Sequence, residues 1–253
     1  MAEAILSRLL VERVFAADTV LVSEPRAERR EFLAQKYQIE VTADNQAAVA
    51  ETETLLLAVK PQILDRVVAD LTPHTDATIV SILAGVTIAR LEQAFPLHPI
   101  IRVMPNTPAT VGAGMTAIAP GTSVQQEQIE RAKSIFAAVG EVVQVSESAM
   151  DAVTGLSGSG PAFVALAIEA LADGGVAAGL PRAIALQLAT QTVLGTATLV
   201  KETGLHPGIL KDRVTSPGGT TIAGVAKLES AGFRSALIEA VKTATARSQE
   251  LGQ

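Results

Sequence analysis

The sequence predicts an α/β Rossmann-like N-terminal domain followed by an all-α C-terminal domain. Short apolar, β-branched runs alternate with helical segments up to about residue 145. Such alternation is typical of a doubly wound sheet built from right-handed βαβ units. From about Ser146 onward only helical periodicity recurs. We therefore expect two domains, spanning residues 1–145 and 146–253.

The individual elements follow from apolar spacing and from proline positions. Continuous apolar runs such as TLLLAV predict parallel strands covered on both faces, and several helices begin near a proline, which suits a first helical turn. The predicted strands are Thr19–Ser23, Thr54–Val59, Ala77–Leu83, Ile100–Met104 and Met115–Ala119. The predicted helices are Ala2–Val14, Pro25–Lys36, Gln62–Leu71, Pro161–Ala178, Pro181–Thr203, Pro207–Val214, Thr220–Ser230 and Phe233–Leu251.

Composition excludes several classes of function. The chain has 253 residues, a net charge of −6 and no cysteine. The acidic balance argues against a nucleic-acid partner, which favours a basic face. Without cysteine there are no disulfides, no thiolate catalysis and no cysteine metal sites, and the 3 histidines are far apart in the sequence. We therefore expect no metal centre.

The chain is expected to be soluble and cytoplasmic. The opening segment MAEAILSRLLVERV carries two acids and no small-residue cleavage site after an apolar run, unlike a secretory signal. The best membrane candidate lies between Arg182 and Lys201, but its two glutamines and four threonines make it too polar for a span of about 20 apolar residues. A helix buried in a protein interface fits this segment better.

The segment Ser216–Thr221 (SPGGTT) is the strongest candidate for a binding site. Its two glycines allow a tight turn with exposed amides, and the following helix adds the positive end of its dipole. Hydroxyls of Ser216, Thr220 and Thr221 lie beside those amides. Such a turn can hold a small carboxylate without a cationic side chain. The alternative is an ordinary helix start with a threonine cap.

The glycine-rich segment Gly155–Pro161 (GLSGSGP) leaves two interpretations open. Three glycines allow a flat ligand or a neighbouring backbone to approach closely. A phosphate-binding P-loop is rejected, because no predicted strand precedes the segment and no Lys-Ser/Thr pair ends it. A tight crossing between helices is the alternative.

Two strand ends are candidate cofactor contacts. In open α/β sheets ligands bind beyond the carboxyl ends of the strands, where Lys60 and the segment Ser81–Gly85 lie; a merely solvated lysine is the alternative. At the end of the second predicted strand, an acid such as Glu24 favours the ribose of NAD, whereas Arg26 favours the 2′-phosphate of NADP. Both alternatives stay open, as does an exposed helix start of mixed charge.

No set of residues for acid/base, nucleophilic or metal catalysis stands out. A reaction at this chain would need little help from side-chain acids or bases. Hydride transfer to an already polarised C=N bond meets this condition, because a protonated imine is electrophilic without further activation.

The motifs resemble those of the pyrroline-5-carboxylate reductase family, in order, over essentially the whole chain. The matching segments are DAVTGLSGSGPAF (Asp151–Phe163), ADGGVAAGLPR (Ala172–Arg182), LKDRVTSPGGTTIAGVAKLE (Leu210–Glu229), AVKP (Ala58–Pro61), AGVTI (Ala84–Ile88) and RVMPNTPA (Arg102–Ala109). The resemblance implies reduction of 1-pyrroline-5-carboxylate to L-proline by NADPH, or alternatively NADH. It also implies a helical domain that forms a homodimer, and dimers that can assemble into decamers.

The resemblance also implies roles for individual residues. Ser216 and the amides of Gly219 and Thr220 would hold the substrate carboxylate, and the Thr221 hydroxyl would contact the ring nitrogen as the catalytic group. Together with Glu24 and Arg26, the matched positions give the predicted cofactor contacts Asn45, Ala58, Lys60, Ala84, Gly85 and Asn106.

The chain departs from the family pattern at its start. The family begins with a strand and a glycine-rich turn, whereas this sequence starts at the Met1 that would follow them. Without that strand its two neighbours lose their pairing partner, and the pyrophosphate loses its amide cradle. We therefore expect weak dinucleotide binding, and the alternative function is an impaired remnant that still dimerises. A third alternative, a β-hydroxyacid dehydrogenase, would need a lysine base that Ser216–Thr221 does not contain.

Overall fold

A computed structural model describes residues 1–69, 71–73 and 76–252. The chain forms two compact units by its contacts: a first unit of Met1–Ser159 together with Thr243 onward, and a second unit of Gly160–Lys242. This division lies later than residue 145 because the helical segment after Ser146 packs with the α/β elements, and the end of the last helix joins them. Asp70, within the predicted helix Gln62–Leu71, lies outside the described residues.

The first unit alternates helices and strands. Its helices are α1 (Ala2–Val11), α2 (Ala27–Tyr37), α3 (Asn45–Val49), α4 (Leu64–Val68), α5 (Ile88–Ala94), α6 (Gln126–Ala137) and α7 (Met150–Val153). Its strands are β1 (Leu21–Ser23), β2 (Glu40–Thr42), β3 (Thr54–Leu57), β4 (Thr78–Ser81), β5 (Ile100–Met104), β6 (Gly114–Pro120) and β7 (Gly140–Gln144). The Rossmann-like α/β class predicted from the sequence is confirmed.

The strands form two sheets. Strands β1 and β2 make a parallel pair, and β3-β4-β5-β6-β7 make a second sheet in that order. Within the larger sheet only the β5–β6 pair is antiparallel. That pair departs from an all-parallel doubly wound sheet because β5 and β6 are joined by a short 3₁₀ turn rather than a crossover helix. Strands β1 and β3 thus belong to different sheets.

Helix α1 packs against both sheets. Ile5 and Leu9 join the core of the large sheet, whereas the neighbouring Leu6 packs with Leu33 and Ile39 beside the small sheet. Adjacent residues on a helix point about 100° apart, so one helix can serve two cores. The helix therefore links the two sheets through apolar contacts.

Glu3 at the start of α1 forms hydrogen bonds with three side chains of α2. Its carboxylate accepts hydrogen bonds from Arg29, from Tyr37 Oη at 2.7 Å and from Lys36 Nζ at 3.0 Å. The Arg29 hydrogen bond first, and then those of Tyr37 and Lys36, lower the pKa of Glu3 to about 2. A carboxylate with a lowered pKa stabilises the fold above its unfolded pKa and loses that contribution as pH falls through the folded value.

We expect Glu3→Gln to lower the free energy of unfolding by about 1 kcal/mol at neutral pH, since partial exposure screens the ion pairs. The difference from the original chain should shrink below about pH 4.5 and vanish only below about pH 2. Urea unfolding at several pH values measures it. Glu12→Gln, which removes the exposed partner of Arg8, is the matched control and should change stability less. An equal loss at all pH values would contradict the prediction.

Strand β3 is less buried than predicted. Leu56 packs against the core on one face of the sheet and Leu55 against the core on the other, so the prediction of a strand covered on both faces is confirmed, but of Thr54–Leu57 only Leu57 is fully buried. The reason is its place at the edge of the larger sheet. The elements that the sequence did not predict are α3, α5, α6, α7, β2 and β7. Of these, β2, α3 and α7 are short, and β7 has no buried residue to mark it.

The glycine-rich segment is helical rather than a loop. Thr154–Gly158 forms a π-helical turn between α7 and α8 (Gly160–Ala177). Close approach occurs at Gly158, where an added Cβ would lie 2.8 Å from Met104 Cε. The tight contact is thus with a side chain from the end of β5. The backbone stays helical through this segment, and the two interpretations, close approach of a flat ligand and a tight crossing between helices, stay predictions.

The second unit is all-helical, as predicted. It contains α8, α9 (Arg182–Thr203), α10 (Pro207–Arg213), α11 (Thr220–Ser230) and the first part of α12 (Phe233–Leu251). The apolar core that the structure describes in this unit is small, centred on Ala172, Ala185 and Ala189. Alanines at these positions let α8 and α9 pack closely.

Candidate active site

The segment Ser216–Thr221 forms a tight turn that leads into α11. The Gly219 amide donates to the Ser216 carbonyl at 3.1 Å, and Gly218 has a φ of +67°. That left-handed conformation is accessible to glycine without steric cost. Gly219 then adopts an extended conformation as the residue before the first helical turn.

The second glycine of the turn is required by close approach. A Cβ added to Gly219 would lie 2.3 Å from Ser216 Oγ and 3.2 Å from the Ser216 carbonyl oxygen. Its φ of −79° is ordinary, so the constraint is steric contact rather than backbone strain. The glycine therefore allows the Ser216 hydroxyl to lie against the start of α11.

Helix α11 begins without a side-chain cap. Gly219 is the residue before the first turn, and no side chain accepts from its amides there. The alternative of a threonine-capped helix start is therefore wrong. In the part of the chain that the structure describes, the hydroxyls of Ser216, Thr220 and Thr221 have no hydrogen-bond partner. The first amides of a helix lack intrahelical acceptors. Amides and hydroxyls together can therefore bind an anion here by donating hydrogen bonds to it.

Glu24 and Arg26 lie together after β1. Arg26 Nε and the Arg26 amide each donate to Glu24 Oε1 at 3.1 Å. Burial raises the pKa of Glu24, but the Arg26 hydrogen bonds and the charges of Arg26 and Arg29 outweigh it, so this pKa lies below its usual value. The carboxylate is thus charged and able to accept, while the Arg26 side chain is 74% exposed.

Asn45 lies beside the same strand end. Ser23 Oγ donates to Asn45 Oδ1 at 2.6 Å. Asn45 is the first residue of α3, whose start is capped by the Asp44 side chain. The small β1–β2 sheet therefore brings three of the predicted cofactor residues, Glu24, Arg26 and Asn45, to one edge.

The ends of β3 and β4 carry four further predicted contacts. The last residues of these parallel strands are direct partners in the sheet, so Ala58 and Lys60 leave it at the same level as Ala84 and Gly85. Ala58, Lys60 and Ala84 are exposed, and Gly85 turns the chain with a φ of +77°. Exposed backbone and an ammonium group at this edge fit a dinucleotide phosphate and ribose.

Asn106, another predicted cofactor contact, is buried. It is 9% exposed, its Nδ2 donates to the Ser157 carbonyl at 3.1 Å, and its Oδ1 accepts from the Met115 amide at 2.9 Å. Both ends of the Asn106 side-chain amide thus bind backbone groups. The side chain therefore links the end of β5 to the π-helical turn. These hydrogen bonds give Asn106 a structural role, and its contact with the cofactor stays a prediction.

Metal-binding side chains do not cluster in the residues that the structure describes; no group of three or more His, Asp or Glu could hold an ion there. The described chain has two helical stretches long and apolar enough to span a membrane, Glu147–Ala177 and Arg182–Thr203. Helices of soluble proteins pass the same test, so these two carry little weight alone.

Two protein families match separate parts of the chain. Residues 147–251 match pyrroline-5-carboxylate reductase dimerisation, and residues 1–85 match NADP oxidoreductase, coenzyme F420-dependent. Fold, strand-end residues and these matches define an NADP-dependent oxidoreductase whose helical region matches a dimerisation family.

Relatives of known structure and sequence narrow the class. A pyrroline-5-carboxylate reductase of Synechocystis is 63% identical over 100% of this chain and 95% of its own length. A solved reductase of Coxiella burnetii has a TM-score of 0.91 at 33% identity, covering 100% and 95% of the two chains. One of Plasmodium falciparum, solved with NADP bound, has a TM-score of 0.88 at 29% identity, covering 99% and 94%. The chain belongs to the pyrroline-5-carboxylate reductase family.

Proposed function

We propose that this chain reduces 1-pyrroline-5-carboxylate to L-proline with NADPH, or alternatively NADH, which is the last step of proline synthesis. The observation that carries the proposal is the Ser216–Thr221 turn. It offers hydroxyls without a hydrogen-bond partner and the first amides of a helix, beside the Gly219 amide that donates to the Ser216 carbonyl, and this set suits a small carboxylate beside a ring nitrogen. Membership of the reductase family over the full chain supports the same conclusion.

The turn promotes the reaction by binding the substrate and orienting it. The Ser216 hydroxyl and the amides of Gly219 and Thr220 hold the substrate carboxylate, and the positive end of the α11 dipole stabilises its charge. The Thr221 hydroxyl hydrogen-bonds the ring nitrogen and orients the C=N bond. NADPH, when bound, supplies the hydride. No general base is needed, because the protonated imine is already electrophilic.

An enzyme assay tests the proposal: it measures the oxidation of NADPH in the presence of pyrroline-5-carboxylate through the loss of nicotinamide absorbance. We expect turnover with this substrate and accumulation of proline. Prephenate serves as the control substrate and should give none. The proposal is wrong if NADPH is not consumed with pyrroline-5-carboxylate under conditions where the protein is folded.

We propose that Arg26 favours NADPH over NADH by meeting the 2′-phosphate with its exposed guanidinium. Arg26→Ala should raise KM for NADPH by about tenfold while changing KM for NADH less, since one charge-assisted hydrogen bond contributes about 1.5–3 kcal/mol. Steady-state kinetics with both cofactors measure the ratio. Arg234→Ala, at another exposed arginine that pairs with a glutamate, is the matched control. An equal change with both cofactors would remove Arg26 from cofactor selection.

We propose a homodimer formed through the helical second unit, and dimers that can assemble into decamers. The apolar core that the structure describes in the second unit is too small to bury the apolar side chains of the helices of this unit. The exposed ones include Val164, Leu166, Leu171, Ile184, Leu188, Leu194, Ile222, Leu228 and Ile238. Exposed apolar surface of this extent marks a protein interface in a soluble protein. Such an interface also suits a cytoplasmic protein without nucleic-acid or membrane partners.

The alternative of an impaired remnant that only dimerises gains no support over the enzyme. The Synechocystis reductase matches all of this chain, including the nucleotide half, at 63% identity. Weak dinucleotide binding stays a prediction. Isothermal titration with NADPH, of this chain and of one extended by a strand and glycine-rich turn, compares the two affinities.

We also propose that the functional boundary between domains lies near residue 145, although the contacts divide the chain later.

A further inference from the structure

An acidic side chain from a distant part of the sequence holds the turn Ala84–Ile88. Glu147 Oε1 accepts a hydrogen bond of 2.6 Å from the Ile88 amide. Ile88 is the first residue of α5, and the first amides of a helix have no intrahelical acceptor. Glu147 lies just after β7, within the first unit. Its carboxylate therefore anchors the junction between the β4 turn and α5.

A buried arginine holds Glu147 in place. Arg102 Nη1 lies 3.3 Å from the same oxygen, Glu147 Oε1, and the arginine side chain is only 7% exposed. Arg102 is on β5, directly beside Ser81 at the end of β4. A buried charge that loses its partner is strongly destabilising. Glu147 cannot move away from the turn without leaving this guanidinium unpaired.

The helix start does not depend on Glu147 for its own cap. The Thr87 hydroxyl already accepts from the Arg90 amide and caps α5. The hydrogen bond from Ile88 to Glu147 is thus additional to what the helix needs. It fixes where the preceding turn lies rather than whether α5 forms.

The end of α12 contacts the same turn. A Cβ added to Gly85 would lie 3.3 Å from the Leu251 carbonyl oxygen. Ser248, near the end of α12, donates to Asp151 Oδ1 at 2.7 Å and so ties this helix end to α7. The turn therefore has contacts with residues far along the chain on both the Glu147 and the α12 sides.

We propose that Glu147 is a positioning residue for the dinucleotide, acting through the turn Ala84–Ile88. Ala84 and Gly85 can offer a cofactor little besides backbone, so their contribution depends on where that backbone is held. The inference rests on the proposed function, which places the cofactor at this strand end. In this proposal Glu147 acts only through the turn and not by touching substrate or cofactor.

The variant Glu147→Ala should raise KM for NADPH by about tenfold while kcat and KM for pyrroline-5-carboxylate stay within about twofold. The Ile88 amide should exchange its hydrogen faster in the same variant. Glu147→Gln keeps an oxygen that can accept from Ile88, so it should restore KM for NADPH to within about threefold of the original chain. Glu53→Ala, which removes an acid paired with Arg131 in the same unit, is the matched control.

Two results would overturn the inference: an unchanged KM for NADPH in Glu147→Ala, or an equal defect in Glu147→Gln. Should Glu147→Ala not fold because Arg102 is left unpaired, Arg102→Met combined with Glu147→Ala removes that charge, and the same rise is expected. Failure of the proposed function is distinguishable, because the original chain would then not oxidise NADPH with pyrroline-5-carboxylate. Ile88 exchange and direct titration with NADPH would still decide whether Glu147 positions the turn.

Discussion

Replacing Thr221 by valine is expected to lower kcat/KM for pyrroline-5-carboxylate by about 10- to 150-fold. The substitution keeps the size and branching of the side chain but removes its hydroxyl. A hydrogen bond to a charged group contributes about 1.5–3 kcal/mol, which corresponds to that range. The proposed partner is the ring nitrogen, whose orientation toward the hydride depends on the hydroxyl. Steady-state kinetics with saturating NADPH measure the loss.

The structure provides a matched control for this variant. Thr19 is an exposed threonine in the first unit, and its hydroxyl donates to the Ala16 carbonyl at 2.9 Å. Thr19→Val makes the same chemical change and should leave kcat/KM unchanged. Thermal unfolding of both variants shows whether the fold is intact. Unaltered kinetics in folded Thr221→Val would remove Thr221 from the mechanism.

The substitution Gly219→Ala is expected to raise KM for pyrroline-5-carboxylate by about tenfold or more. The new Cβ would lie 2.3 Å from Ser216 Oγ, so the Ser216 side chain must rotate away from the position in which it holds the substrate carboxylate. The backbone should tolerate the change, because Gly219 has an ordinary extended conformation that alanine can adopt. KM for NADPH should change much less.

A double-mutant cycle separates this displacement from other effects. Ser216→Ala removes the hydroxyl directly and should raise KM for pyrroline-5-carboxylate by a similar factor. It also removes the atom against which the Gly219→Ala methyl would clash. The double variant should therefore be no worse than Ser216→Ala alone, which is the non-additivity expected of residues in contact. Fully additive defects would show that Gly219→Ala acts in another way.

Local sequence signals predicted the helical half and the site turn well. Helices Thr220–Ser230 and Phe233–Leu251 have the predicted bounds, because glycines precede both of them. The turn Ser216–Thr221 also has the predicted conformation, since its glycines and hydroxyls lie within six residues of one another. These features depend on residues close together in the chain, which a single sequence displays directly.

Features that depend on residues far apart in the sequence were harder to predict from the sequence. The antiparallel β5–β6 pair and the partial exposure of β3 follow from the order of strands in the sheet, which local apolar runs do not encode. Asn106 was predicted to contact the cofactor because its motif matched, but its amide is used by Ser157 and Met115. Gly155–Pro161 carried glycines typical of a loop, yet the segment forms a π-helical turn and the start of α8.

The sequence by itself determined the family, the two kinds of secondary structure and the turn that carries the proposed chemistry, because each depends on residue types at short spacing. Only the tertiary structure decided that the strands form two sheets and that Glu147 and Arg102 hold the Ala84–Ile88 turn. Those three segments are separated by long stretches of chain, and no periodicity connects them. Hydrogen bonds over such separations exist only once the sheet has brought its strand ends together.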